Sequence, residues 1–257
     1  MDNGKTAIVL GSGLHQIVND IVVHEEISYD QIEGFKPCQV KGHQGKMIVG
    51  ELEAQPVICC LGRPHWYEGR APEEFLAFVR LLKNLGASSL IVTHCSGSLN
   101  PDFRAGAMML VKDHINWQFK SPLTGIQEEA GSRFLNMDNV YDLDMRKELK
   151  ASAESIGLDL EEGVYMGVQG PCFETPAEVK AFQMLGADTV AMSSIPEIIA
   201  ARYYELKVAM VSVVVNQGSG LSDEVLSHEH TLKMAANSDV HLAQLFRTYF
   251  GRKTVDN

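Results

Sequence analysis

The chain has 257 residues, of which 45% are hydrophobic and 21% charged, enough apolar content to bury a large core and too much for an intrinsically disordered chain. A formal net charge of −11 argues against a nucleic-acid partner, which is recognised through Lys and Arg, but leaves room for a small anion held by a local cluster of donors. No apolar run approaches the roughly 18 residues that span a bilayer, and the start MDNGKTAIVLGSG lacks the pattern of a secretory signal, so a cytoplasmic protein is expected.

Strands are expected where β-branched and apolar residues cluster: 6–10, 47–51 and 56–61 come first. A helix over 73–85 follows, with Pro72 in its first turn and Gly86 as its stop. Strands at 89–93, 107–111 and 164–168 come next, then a second helix over 175–185 with Pro176 and Gly186 in the same places. A strand at 189–192, a helix at 196–206, a strand at 207–215 and a long amphipathic helix at 228–250 complete the pattern. The stretch 117–138, rich in Gly, Pro and acidic residues, is expected to be a loop. Strands and helices interleave from end to end without a linker or repeat, which predicts one α/β domain over 1–257 around a central sheet. The five cysteines (Cys38, Cys59, Cys60, Cys95, Cys172) show neither C-x-x-C nor zinc spacing, so reduced thiols and no metal site are expected.

The chemistry-bearing residues fall where strands end. Gly11-Ser12-Gly13 is either a tight turn or an anion site; a dinucleotide fingerprint would need glycine where the chain has Gln16. Gly62 to Gly69 crowds Arg63, His65, Tyr67 and Glu68 together; Arg63 has a planar pair of donors for a phosphate, and His65 can donate a bond or shuttle a proton. The bland alternative is a solvated loop with an incidental ion pair. At 93–99, small residues bring backbone amides to a strand end. Cys95 reads better as a small buried thiol than as a nucleophile, and His94 serves equally well as a structural histidine. Glu174, beside Phe173, either caps the helix that follows or bonds the polar edge of a stacked heterocycle. Asn216 ends a strongly apolar strand with both a donor and an acceptor.

With these motifs in place, the sequence resembles the trimeric, low-molecular-mass purine nucleoside phosphorylases, from about Ala7 to Phe250. The resemblance is carried by GSGL at 11–14, GHQG at 42–45, GRPHWYEG at 62–69, SGSLNP at 96–101, KDHIN at 112–116, GPCFET at 170–175, MSSIPEIIAAR at 192–202 and LSHE at 226–229. ISYDQIEGF at 27–35 and GLSDEVLSH at 220–228 are most similar to a bacterial branch that includes xanthosine phosphorylases. The resemblance implies a central mixed β-sheet flanked by helices, and phosphorolysis of 6-oxopurine nucleosides to a free base and α-ribose 1-phosphate. Phosphate would be the co-substrate, with no metal or organic cofactor.

It also implies a homotrimer and a role for each matched residue. Ser12, Arg63, His65, the Cys95 backbone and Ser193 would hold phosphate; Tyr67, Met192 and His228 would contact the ribose; Phe173, Glu174 and Asn216 would hold the base. Catalytic duty would fall on His65, Glu174, Asn216 and His228, with Tyr165 nearby. Phe134, beside Arg133, would close the ribose pocket of an adjacent subunit. The chain departs from the family's common Asn, Ala, Thr and Lys at His94, Cys95, Val215 and Gln217, and His94 or Gln217 is a candidate donor to the second carbonyl of xanthosine. Two alternatives are a methylthioadenosine phosphorylase, which would carry aspartate where this chain has Asn216, and a catalytically silent nucleoside-binding protein.

Overall fold

In β1 (Lys5–Val9) the side chains of Ala7 and Val9 enter one apolar cluster and that of Ile8 enters another, and all three are fully buried, so the strand is covered on both faces. The computed structural model describes residues 4–32, 35, 44–126, 131–222 and 227–255, apart from the side chain of His228. Within them, β1 joins β2 (Val22–Ser28), β3 (Lys46–Leu52), β4 (Gln55–Leu61), β5 (Ala87–Ser98), β6 (Met108–Asn116), β7 (Leu160–Gly167), β8 (Thr189–Ala191) and β9 (Lys207–Gln217). The strand order is β2-β3-β4-β1-β5-β8-β7-β6-β9, and β9 also pairs with β5, so the last five strands close into a ring. The sheet is mixed: β1 runs parallel to β4 and β5, and β5 parallel to β9, whereas β2–β3, β3–β4, β5–β8 and β6–β9 are antiparallel.

The helices sort by face. Helix α1 (Pro72–Asn84) contributes Phe78, Val79 and Leu82, and α4 (Ile195–Tyr203) contributes Ile198 and Ala201, to the core that also takes Ala7 and Val9. On the opposite face, α2 (Leu143–Ser155) brings Met145, Leu149 and Ala153, and α5 (His228–Val255) brings Leu242, Ala243, Phe246 and Tyr249. Along the expected C-terminal stripe, Ala235, Leu242, Ala243, Phe246 and Tyr249 are buried, Leu232 is half-buried and Ala236 is exposed. Helix α3 (Pro176–Met184) packs Val179 and Phe182 into a third cluster with Leu99 and Val190. Its N-terminus has a capping box: Thr175 Oγ1 accepts from the Glu178 amide at 3.2 Å and Glu178 Oε2 accepts from the Thr175 amide at 2.8 Å. The helix therefore does not need Glu174 as its cap.

Candidate active site

The parallel strands β1, β4, β5 and β9 bring their C-terminal ends to one edge of the sheet, and there the segments after β1, β4, β7 and β8 and the last residues of β5 and β9 surround a cavity of about 490 Å³. Its lining includes Ser12, Arg63, His65, Tyr67, Cys95, Phe173, Glu174, Met192, Ser193 and Asn216. A volume of this size suits a small organic ligand. Phe134 is 82% exposed and lies outside the cavity, with Arg133 over its ring. The side chain of His228 falls outside the described residues, as do Gly42 and His43 of the GHQG motif and Leu226 of LSHE.

For Arg63 the solvated-loop alternative fails: the side chain is 1% exposed, and its terminal nitrogens are turned onto the protein. Nη1 donates to Ser194 Oγ at 2.9 Å and to Glu197 Oε1 at 3.0 Å, while Nη2 donates to the carbonyls of Thr93 and, at 3.4 Å, Val9. The physical reason is Glu197, which has no exposed surface and whose charge requires a buried partner. Arg63 thus forms the charged back wall of the cavity, and its terminal N–H groups must exchange protein acceptors for ligand oxygens if they are to touch a bound anion.

His65 is held by the carboxylate three residues later. Glu68 Oε1 accepts from the His65 amide at 2.9 Å and lies 3.0 Å from Nδ1, while Glu68 Oε2 accepts from Arg70, which also reaches Glu74. Burial lowers the imidazole pKa in spite of the opposing pull of Glu68, so the ring is neutral at pH 7. With Nδ1–H donated to Glu68, Nε2 is the acceptor of the ring. Tyr67 stacks on it with ring centroids 4.7 Å apart.

Cys95 is no nucleophile: burial raises its thiol pKa to about 12, and Sγ donates to the Ser12 carbonyl at 3.3 Å. Ser193 and Ser194 form a γ-turn, with the Ile195 amide donating to the Ser193 carbonyl at 3.0 Å and Ser194 held at φ 77° and ψ −42°. Tyr165 is buried behind this turn and donates to the Ser193 carbonyl at 2.7 Å. Burial raises its pKa, keeping the phenol protonated.

At the other end of the cavity, Asn216 is buried against Gly97, where an added Cβ would come within 2.8 Å of Asn216 Oδ1. Glu174 is half-buried, which raises its carboxyl pKa, and Phe173 remains 39% exposed. Both candidate donors for a second base carbonyl are engaged within the protein. Gln217 Nε2 donates to the Phe103 carbonyl at 3.2 Å, and both ring nitrogens of His94 lie against serine hydroxyls. Sequence reasoning missed Ser194 and Glu197. The signal for Glu197 was a lone carboxylate in the apolar run IPEIIAA. Among the described residues, no group of three or more His, Cys, Asp or Glu is arranged to hold a metal ion, and no helix is long and apolar enough to cross a membrane.

Residues 5–251 match the family described as the phosphorylase superfamily. The chain is 37% identical to purine nucleoside phosphorylase 1 of Bacillus subtilis, across 91% of this chain and 86% of that protein. It is 37% identical to the purine nucleoside phosphorylase of Bos taurus, across 86% and 82%. Among solved structures, the purine nucleoside phosphorylase of Schistosoma mansoni in complex with adenosine superposes with a TM-score of 0.91 at 33% identity, covering 97% of this chain and 91% of that one. The same enzyme in complex with inosine gives 0.89 at 33% identity, covering 98% and 91%.

Proposed function

This chain belongs to the phosphorylase superfamily, as a purine nucleoside phosphorylase, and we propose that its reaction is the phosphorolysis of 6-oxopurine nucleosides, inosine and guanosine first among them. The observation that carries this reading is the polarity of one cavity. Ser12, His65 and Ser193 line it together with the Arg63 charge, and Phe173, Glu174 and Asn216 line it as base-reading groups. Tyr67 and Met192 are the ribose contacts from this chain, and His228 belongs with them.

As the glycosidic bond lengthens, positive charge develops on the ribose and negative charge on the purine. Phosphate on the far side of the anomeric carbon stabilises the cation and supplies the oxygen that captures it, giving α-ribose 1-phosphate with inversion. Neutral His65, its Nδ1–H directed to Glu68, offers Nε2 as the acceptor for the P–OH of an incoming hydrogen phosphate dianion, which leaves the charged oxygens free to attack. Backbone amides at Cys95 and the Ser12 and Ser193 hydroxyls orient that dianion against the Arg63 field. The Asn216 amide donates to the imidazole-side nitrogen of the leaving purine, where charge accumulates. Glu174 accepts the ring N–H of a 6-oxopurine and, in guanine, the 2-amino group as well.

Xanthosine fits less well, because neither Gln217 nor His94 turns a donor toward its second carbonyl. Those same bonds give both residues a structural role, so their departure from the family pattern does not argue for a silent nucleoside binder. Exposed Phe134 suits a contact with the ribose pocket of a neighbouring copy in a homotrimer. The test is incubation of purified protein with inosine, with and without phosphate. Equimolar hypoxanthine and ribose 1-phosphate, formed only with phosphate, is the expected result; base release independent of phosphate would overturn the reading.

A further inference from the structure

We propose that His94 is a positioning residue for phosphate: an Nε2–H tautomer that forms the middle link of a buried hydrogen-bond chain holding Ser194 and, through it, the Arg63 guanidinium. The proposal rests on the phosphorolysis reading above. His94 is 2% exposed, with Nδ1 3.0 Å from Ser194 Oγ and Nε2 2.8 Å from Ser212 Oγ. Burial and the nearby Arg63 charge hold its pKa well below the ordinary value, so the ring is neutral and offers one donor and one acceptor.

The direction of the chain follows from its charged end. Arg63 Nη1 donates to Ser194 Oγ and polarises that hydroxyl, whose proton finds a better acceptor in Nδ1 than in Ser193 Oγ at 3.3 Å. Nε2–H then donates to Ser212 Oγ, Ser212 to Ser96 Oγ at 2.7 Å, and Ser96 ends the chain on the Val213 carbonyl at 3.5 Å. Every hydroxyl in this order both accepts and donates. In the other tautomer, Arg63 and Nδ1–H would both donate into Ser194.

The need for such a staple is local. Ser194 occupies a γ-turn with positive φ, a strained conformation that persists only where its surroundings hold it. The ring of His94 also packs against that of Tyr165 in a T-shaped contact, with centroids 4.4 Å apart. An imidazole reaches two hydroxyls at opposite edges of its ring, whereas a carboxamide carries both polar groups at one end and cannot reproduce this bridge.

The experiment measures KM for phosphate and for inosine separately in Ser212→Ala and His94→Asn. Ser212 is fully buried and does not line the cavity, so its effect on phosphate must pass through the chain. The expected result is a KM for phosphate raised about fivefold, with KM for inosine changed less than about twofold. Equal rises in both constants, or an unchanged KM for phosphate in the folded variants, would overturn the proposal. In parallel, ¹⁵N spectra of histidine-labelled unmutated protein, with His94 assigned through the contact of its ring with that of Tyr165, should report a neutral Nε2–H ring at pH 7. An Nδ1–H ring or an imidazolium would contradict the chain even if the variants fail to fold. Absence of phosphate-dependent turnover in the unmutated protein would sink the functional reading, whereas the tautomer result judges the chain by itself.

Discussion

The residues proposed to hold phosphate and those proposed to hold the base are built into the fold differently. At the phosphate end, Arg63, His94, Ser194 and Glu197 are almost without exposed surface, are anchored to strands and to the start of α4, and bond to one another. At the base end, Phe173 and Glu174 lie on the irregular segment between β7 and α3; Phe173 is exposed, Glu174 is half-buried, and only Asn216 is set in a strand. On that proposal, the groups common to all substrates sit in the buried core, and those that distinguish one base from another sit largely on a surface segment. Changes at the first end should cost stability and activity together; changes at the second should alter substrate preference in a protein that still folds.

The largest effect is expected at Arg63. Arg63→Met leaves Glu197 as an uncompensated buried charge, which should cost about 3–5 kcal/mol of stability in urea denaturation and abolish phosphate-dependent turnover. The double variant Arg63→Met with Glu197→Leu should recover most of the stability and none of the activity, separating the structural duty of the pair from its chemical one. A fully stable Arg63→Met single variant would erase the contrast between the two ends. Next comes Asn216→Ala, which removes the donor to the leaving base and should lower kcat by about 10²–10³ with a nearly unchanged denaturation midpoint. A loss of stability with little loss of kcat would move Asn216 to the structural side.

Most of the fold was legible because its signals are local. Helices α1 and α3 announce themselves through a proline in the first turn and a glycine after the last, and the central strands through unbroken β-branched runs. Strand β2 was missed because VVHEEIS is a mostly exposed edge strand whose charges mask its periodicity, and α2 because LDMRKELKASAES buries few side chains. β5 runs on to Ser98 through small residues that read as a loop, since the pairing with β8 and β9 that holds them extended is long-range. The same distinction holds at the site. The cavity-lining residues sit at strand ends that can be read from the chain, but the inward turn of Arg63 depends on Glu197, 134 residues away, and the bonds of His94 on Ser194 and Ser212, 100 and 118 residues away.

Smaller effects sharpen the base end. Burial raises the Glu174 pKa, so protonation would remove the proposed acceptor for the base N–H at a pH higher than for an ordinary glutamate. The kcat/KM for inosine should therefore decline on acidification with a limb at higher pH than an ordinary glutamate gives, and that limb should disappear in Glu174→Gln. An identical acid limb in that variant would assign it to another group, His65 being the first candidate. Phe173→Ala should do least, raising KM for nucleoside by about threefold through lost stacking while leaving the thermal midpoint in place. A marked drop in that midpoint would mean that the base end is as much a part of the core as the phosphate end.

The base-reading pair is tested most directly by kcat/KM for inosine and adenosine in the unmutated protein at saturating phosphate. A carboxylate facing a 6-oxopurine accepts its ring N–H, whereas adenine presents an unprotonated nitrogen there and opposes two acceptors. Mismatches of this kind in a polar site reach a discrimination of about 10⁴. The complex of the Schistosoma mansoni enzyme with adenosine concerns occupancy by that nucleoside, whereas this ratio concerns turnover. A ratio near 10⁴ in favour of inosine is the predicted result; comparable values for the two nucleosides would contradict the assignment of Glu174 and Asn216 as the pair that reads the base.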